Sequence, residues 1–212
     1  MSGRQAPPTA AAGGPTSAAA APTRAVPPPT SSVAPGHVVL VGLMGAGKTT
    51  VGERLADALG VPFVDGDAAL TAVTGRDAAT VAAVDGVPTL AALEARVLLD
   101  ALTAPGPSVI AAAASVVDDP SCRRALRAPN VAVIRLRARP GTLAARHGAG
   151  SHRRPLGSDL AAAFAAQSRA RASRFAAVRP LVTIDVDAVP VDGVVAEALR
   201  AIRAGGNGGS GV

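Results

Sequence analysis

Aromatic side chains are almost absent: three Phe, no Tyr and no Trp in 212 residues. That argues against modules that stack bases on aromatic platforms, such as RNA-recognition sheets and single-strand-binding barrels. Cys122 is the single cysteine. Neither a disulfide framework nor a cysteine-based metal cluster is therefore available, and a reduced, cytoplasmic setting is the plain expectation. No apolar run of about 18 residues is free of charges or Pro/Gly breaks, so no transmembrane helix and no membrane partner is expected. Lysine is as scarce as cysteine. Of the 21 basic residues every one is Arg except Lys48. A chain that otherwise prefers the guanidinium group uses an ammonium once, which points to a need for a compact charge on a flexible stem.

What is present is Ala, Val, Leu and Ile in quantity: 49% of the chain is hydrophobic, enough for one domain with a sizeable core plus tails. The formal charge is +6. The arginines are scattered and form no stripe, so nucleic acid is not expected as a partner. A phosphorylated or carboxylated small ligand suits the surplus. Residues 1–36 are Ala, Pro, Thr, Ser and Gly with two Arg and no acid. The run Pro27-Pro28-Pro29 and the pair Pro7-Pro8 predict a disordered tail. An acid-free tail is also the composition of a transit peptide, but this one lacks an amphipathic Arg face and an apolar signal region. Residues 205–212 are mostly Gly and are expected to be a second flexible tail.

Residues 37–204 read as an alternation of apolar strands and helices. Strands are expected at His37–Val41, Val61–Val64, Ser108–Ala112, Val131–Leu136 and Leu181–Asp185. Helices are expected at Thr50–Leu59, Thr89–Leu102, Leu160–Ala177 and Val191–Arg203, with weaker ones through about Val84 and near Gly141–Arg146. Asp119 followed by Pro120 starts one more. His147–Gly157 is polar and basic and reads as a loop with exposed His147 and His152. Such an alternation gives an α/β fold with a parallel sheet covered on both faces.

Gly42-Leu-Met-Gly45-Ala46-Gly47-Lys48-Thr49 matches the phosphate-binding pattern G-x-x-x-x-G-K-S/T, with a buried strand before it and a helix after it. Glycines let successive N–H groups turn inward as a nest for anionic oxygens, and the helix start adds its partial positive charge. Lys48 then reaches the β- and γ-phosphates, and the Thr49 hydroxyl meets Mg²⁺. The lysine is expected on the surface of the loop. No N-K-x-D guanine motif occurs, so ATP is expected over GTP.

Asp65 and Asp67 follow the second strand, at the sheet edge where ligands of open parallel sheets bind. Taken alone, the pair fits two descriptions: a site for Mg²⁺ and a substrate hydroxyl, or a helix cap at Asp67 beside a solvated turn at Asp65.

The stretch 38–70, VVLVGLMGAGKTTVGERLADALGVPFVDGDAAL, resembles the opening of the shikimate kinase family: P-loop, helix, then D-x-D. Thr74-Gly75-Arg76, Asp85-Gly86, Glu94, Arg154-Pro155-Leu156 and Arg171 before Phe175 continue the resemblance over roughly 38–203. It implies a P-loop kinase fold: a five-stranded parallel sheet, helices on both faces and a mobile lid at about 147–157. It implies ATP and Mg²⁺, and a small hydroxylated, carboxylated metabolite as acceptor, handled by a monomer. Gly42, Gly45, Ala46, Gly47, Lys48, Thr49, Thr50, Arg146 and Arg154 would bind ATP. Thr49 and Asp65 would hold the metal. Asp67 would bind the acceptor hydroxyl and take or orient its proton. Arg171 would pair with the acceptor carboxylate. Lys48, Asp67 and Arg154 would be the catalytic set.

Departures cluster on the acceptor side. Where the family carries an aromatic and an arginine, this chain has Leu90 and Ala91; its triple glycine is Ala113-Ala114-Ser115; its Pro-Leu-Tyr is Ser173-Arg174-Phe175. Two functions follow: phosphoryl transfer from ATP to a small hydroxylated acceptor, or a non-catalytic ATP-binding paralogue with a decayed acceptor pocket. Asp118 and Asp119 read as a helix cap or a Walker B mimic, and Cys122 as a small buried hydrophobe.

Overall fold

The computed structural model describes residues 36–148 and 159–206. The tail over 1–35, most of the expected lid with Arg154, and residues 207–212 lie outside the described residues. Strand β1 (His37–Val41) is buried along its whole length. A strand covered on both faces needs no polar alternation, which is why it reads as a continuous apolar run. It sits at the centre of a five-stranded parallel sheet ordered β2-β3-β1-β4-β5. The others are β2 (Phe63–Asp65), β3 (Ser108–Ala111), β4 (Val131–Arg137) and β5 (Val182–Asp185). Val39 pairs with Ile110 on one side and Val133 on the other. The loop after β1 therefore opens at the middle of the carboxyl edge, with β2 and β3 on one side and β4 and β5 on the other.

The helices are α1 (Lys48–Leu59), α2 (Gly66–Thr74), α3 (Ala78–Val84), α4 (Val87–Thr103), α5 (Pro120–Ala125), α6 (Pro140–Gly148), α7 (Leu160–Ala177) and α8 (Val191–Gly206). A 3-10 turn over Ala114–Asp118 precedes α5. The main core joins β1 to Leu55, Ile110, Val133, Ile134 and Leu136, and to Phe164 and Phe175. A smaller core, Leu70, Val81 and Leu90, ties α2, α3 and α4 together.

Several boundaries differ from expectation for local reasons. β2 starts at Phe63 because the Val61 N–H is taken by Ala56 O, 3.1 Å away, in the glycine-ended C-cap of α1. It runs to Asp65 because Asp65 is in register with Ala111 of β3. His147 is no loop residue: it lies in α6, 7% exposed, edge-on to Phe164 with ring centroids 5.8 Å apart. α8 continues through Gly205 and Gly206, the start of the expected tail, with Leu181 packed against Gly205. Asp119 does cap α5, accepting from Cys122 N at 2.8 Å. Cys122 is fully buried, and burial pushes its thiol up to about 12, so it is an inert part of the core.

Candidate active site

The loop Gly42–Gly47 connects the buried β1 to the first turn of α1. Gly45 and Gly47 have φ of 84° and 88°, the left-handed region that side chains avoid. Gly47 is the N-cap of α1 and provides no side-chain cap. The first N–H groups of α1 thus have no side-chain acceptor at the cap, and an anion suits them. Lys48 folds back over this loop, its Nζ donating to Gly42 O at 3.0 Å and Leu43 O at 3.3 Å. It is half-buried, against the expectation of a surface position. Arg146, from the last turn of α6, donates to Gly45 O at 3.3 Å and so reaches the same loop.

Thr49 Oγ1 donates to Asp65 Oδ2 at 2.7 Å. The other oxygen, Oδ1, accepts from Asp67 N at 2.9 Å and Ala68 N at 3.0 Å. Asp65, not Asp67, is therefore the N-cap of α2, which corrects the capping alternative. The reason is the reach of the side chain: a cap residue accepts from N–H groups two and three residues on. One carboxylate thus fixes the start of α2 and meets the P-loop threonine. Asp67, in the first turn of α2, is exposed to the cleft. A hydroxyl and a carboxylate in contact at a nest of N–H groups fit a hard divalent cation that accompanies a polyphosphate.

The P-loop and this acidic pair border a cleft of about 770 Å³. On the β2–β3 side it is lined by Leu90, Ala91, Glu94, Ala113, Ala114 and Ser115, with Asp118, Gln167 and Arg171. On the β4–β5 side it is lined by Val186, Val189, Val191 and Val194 beside Arg146. Thr50 also faces it. The four valines escaped the sequence reading, where Val191 and Val194 belong to a closing helix and Val186 and Val189 only to the link before it. Ser115, at a position read as lost glycine, donates to Glu94 in a short hydrogen bond. Arg171 is brought to the cleft as expected, but it already has a carboxylate partner. Its Nε and Nη2 both contact Asp118 Oδ2 at 2.8 Å, and Nη1 donates to Gln167 Oε1 at 3.1 Å. Asp118 is thus not the helix cap, a place that Asp119 takes, and it pairs with arginines instead. Among the described residues no group of three His, Cys, Asp or Glu could hold a metal, and no helix is long and apolar enough to cross a membrane.

The shikimate kinase family profile matches residues 44–203. A shikimate kinase of Symbiobacterium thermophilum is 40% identical over 176 residues, 82% of this chain and 99% of its own length. This chain belongs to the shikimate kinase family. The shikimate kinase of Mycobacterium avium is 38% identical over 151 residues, covering 70% of this chain and 82% of that protein. The structure of shikimate kinase from Acinetobacter baumannii in complex with shikimate superposes with a TM-score of 0.75. That likeness, at 24% identity over 82% of this chain and 95% of the other, shows the shared P-loop kinase fold. Membership makes the chain an ATP-dependent phosphotransferase with an alcohol group as acceptor, working with Mg²⁺. Neither its relatives nor its fold favours the non-catalytic alternative.

Proposed function

We propose that this chain transfers the γ-phosphate of ATP to a hydroxyl of shikimate or a closely similar hydroxylated acid, as a cytoplasmic monomer. The hydrogen bond from Thr49 to Asp65 carries this reading. It joins the phosphate loop to the D-x-D turn, so the nucleotide end and the acceptor end of the cleft share one rigid connection. Gly42, Gly45, Ala46 and Gly47 would present backbone N–H groups to the phosphates, and Lys48 its ammonium. Thr49 and Asp65 would hold Mg²⁺, which when bound neutralises charge on the β- and γ-phosphates. Arg146 and Arg154 would line the nucleotide from the lid side, with Thr50 below. The valines of the β4–β5 side would cover the base. Asp67 would orient the acceptor hydroxyl and accept its proton, and Arg171 would face the acceptor carboxylate.

Catalysis in such a cleft is positioning and electrostatics, with little covalent chemistry for side chains to do. The test is ADP release with ATP, Mg²⁺ and a panel of hydroxylated acids, with the phosphorylated product identified by mass. Shikimate should raise turnover well above background hydrolysis. If no hydroxy acid does so in a folded, ATP-binding protein, the reading is wrong.

A further inference from the structure

Two carboxylates of the cleft, Glu94 and Asp118, have no part in the reaction just described, and Glu94 is bonded by Ser115. Asp118 ends the 3-10 turn that follows β3, and two arginines of α7 take both of its oxygens. Oδ2 meets Arg171 at Nε and Nη2, and Oδ1 accepts from Arg174 Nη1 at 2.8 Å. Arg171 is the better shielded arginine, its side chain 19% exposed against 48% for Arg174. Among the described residues lining the cleft the cations are Lys48, Arg146 and Arg171. The first two reach the P-loop, so among the described residues Arg171 is the cation of the β2–β3 side.

We propose that Asp118 sets acceptor specificity: it occupies the side edge of Arg171 and weakens the site's preference for a carboxylate over an uncharged hydroxylated group. The inference rests on the reading that the acceptor's acid end faces Arg171. A guanidinium offers five N–H donors in a planar fork; Asp118 and Gln167 accept from Nε and Nη1, and Nη2 also lies against the Asp118 carboxylate. An incoming carboxylate must displace Asp118 or lie a few ångströms from a like charge. The pair is partly buried, so solvent and salt screen that repulsion incompletely. Ala91 supplies no second cation to offset it. An uncharged acceptor, by contrast, meets an arginine already held in place and loses nothing to repulsion. Arg174 leaves the trio with one surplus positive charge, and so opposes Asp118 from outside the cleft.

The decisive quantity is the ratio of kcat/KM for shikimate to that for shikimate methyl ester, which keeps the shape and removes the charge. The full chain is compared with Asp118→Asn and with Arg174→Leu. Asp118→Asn should raise the ratio about tenfold, a change of about 1.4 kcal/mol, with the KM for ATP unmoved. Arg174→Leu should lower it, because Asp118 then cancels Arg171 completely. An unchanged or falling ratio in Asp118→Asn overturns the proposal and makes Asp118 a residue that merely holds Arg171. If that variant does not fold, Arg174→Leu decides: a fall supports the proposal and an unchanged ratio overturns it. Calorimetric binding of both compounds gives the same ratio independently of turnover. A wild-type protein that binds ATP but neither binds nor phosphorylates either compound overturns the proposed reaction and this inference together. A ratio that fails to move while both compounds react overturns this inference alone.

Discussion

Replacing Lys48 by Ala or Met should cost both stability and rate, and the two costs have different origins. Nζ bonds the carbonyls of Gly42 and Leu43 and so ties down the loop it guards. A hydrogen bond of this kind is worth about 1 kcal/mol net in a half-exposed setting, so two give about 1–2 kcal/mol. For a domain of this size each kcal/mol is about 2–4 °C in Tm, which places the expected drop at roughly 2–8 °C. Met keeps the aliphatic stem, so Lys48→Met should lose the bonds but less of the packing. The rate loss comes from a different state, in which the ammonium faces phosphate oxygens. Losing one positioned charge there costs about 10²–10³ in turnover. Thermal unfolding of the apo protein and ADP release at saturating ATP measure the two separately. A Tm unmoved in both variants would show that the carbonyl contacts carry no weight. Turnover within about threefold of wild type would refute the role of the loop.

Three further outcomes are expected. Gly66 lies between the two aspartates, and a Cβ there would stand 2.8 Å from Ala111 O, a backbone atom that cannot step aside. Gly66→Ala should shift the start of α2 and reduce kcat by about tenfold or more, with a smaller effect on ATP affinity; equal losses in both would show a general disruption. Asp67→Asn should reduce phosphoryl transfer far more than ATP binding, because an amide neither accepts the proton nor orients the hydroxyl as a carboxylate does. Parallel losses would make Asp67 structural. Burial alone would raise the Asp187 carboxyl, but hydrogen bonds from the Thr142 hydroxyl, Arg139 N–H and the Arg139 guanidinium hold it below the usual range. Its contribution to stability is therefore complete above the ordinary aspartate range and fades as pH falls through the lowered value. Asp187→Asn should lower Tm at neutral pH and flatten its fall in acid; identical pH profiles would refute this.

The nucleotide half of the cleft was legible because its chemistry is written in consecutive residues. One strand, one glycine loop and one helix start make the nest, and a single lysine marks the position that needs an ammonium. The aspartates were legible as a pair, but their division of labour was not. Capping depends on which side chain sits at the residue before the helix, and α2 begins at Gly66, earlier than its weak apolar pattern implies. Asp118 was harder still. Its partners lie 53 and 56 positions away, on a helix that packs beside the 3-10 turn only once the sheet has formed. His147 failed for the opposite reason. Its polar, Gly-rich surroundings dominate the sequence window, yet one face of α6 packs on α7 and takes the imidazole with it.

The layout also explains why departures from the family pattern gather on one side. The P-loop leaves the centre of the sheet, and its N–H groups answer to a triphosphate, which is the same for every acceptor. Part of the proposed acceptor wall is carried by α2, α3 and α4, which have a small core of their own in Leu70, Val81 and Leu90. Leu90 serves that core while facing the cleft, so packing constrains this position whatever the acceptor is. A substitution at Ala91 would therefore change what the acceptor meets while leaving β1 and its loop untouched, whereas Ala113 packs against the core that holds β1. Distant sites that share no partner combine additively, whereas residues in one network do not. Restoring an arginine at Ala91 should thus act independently of Lys48, but not of Asp118, because both set the charge seen by the same end of the acceptor. In the Asp118→Asn background the gain from Ala91→Arg in shikimate affinity should be smaller than in wild type. Equal gains in the two backgrounds would show that Asp118 and position 91 face different parts of the ligand.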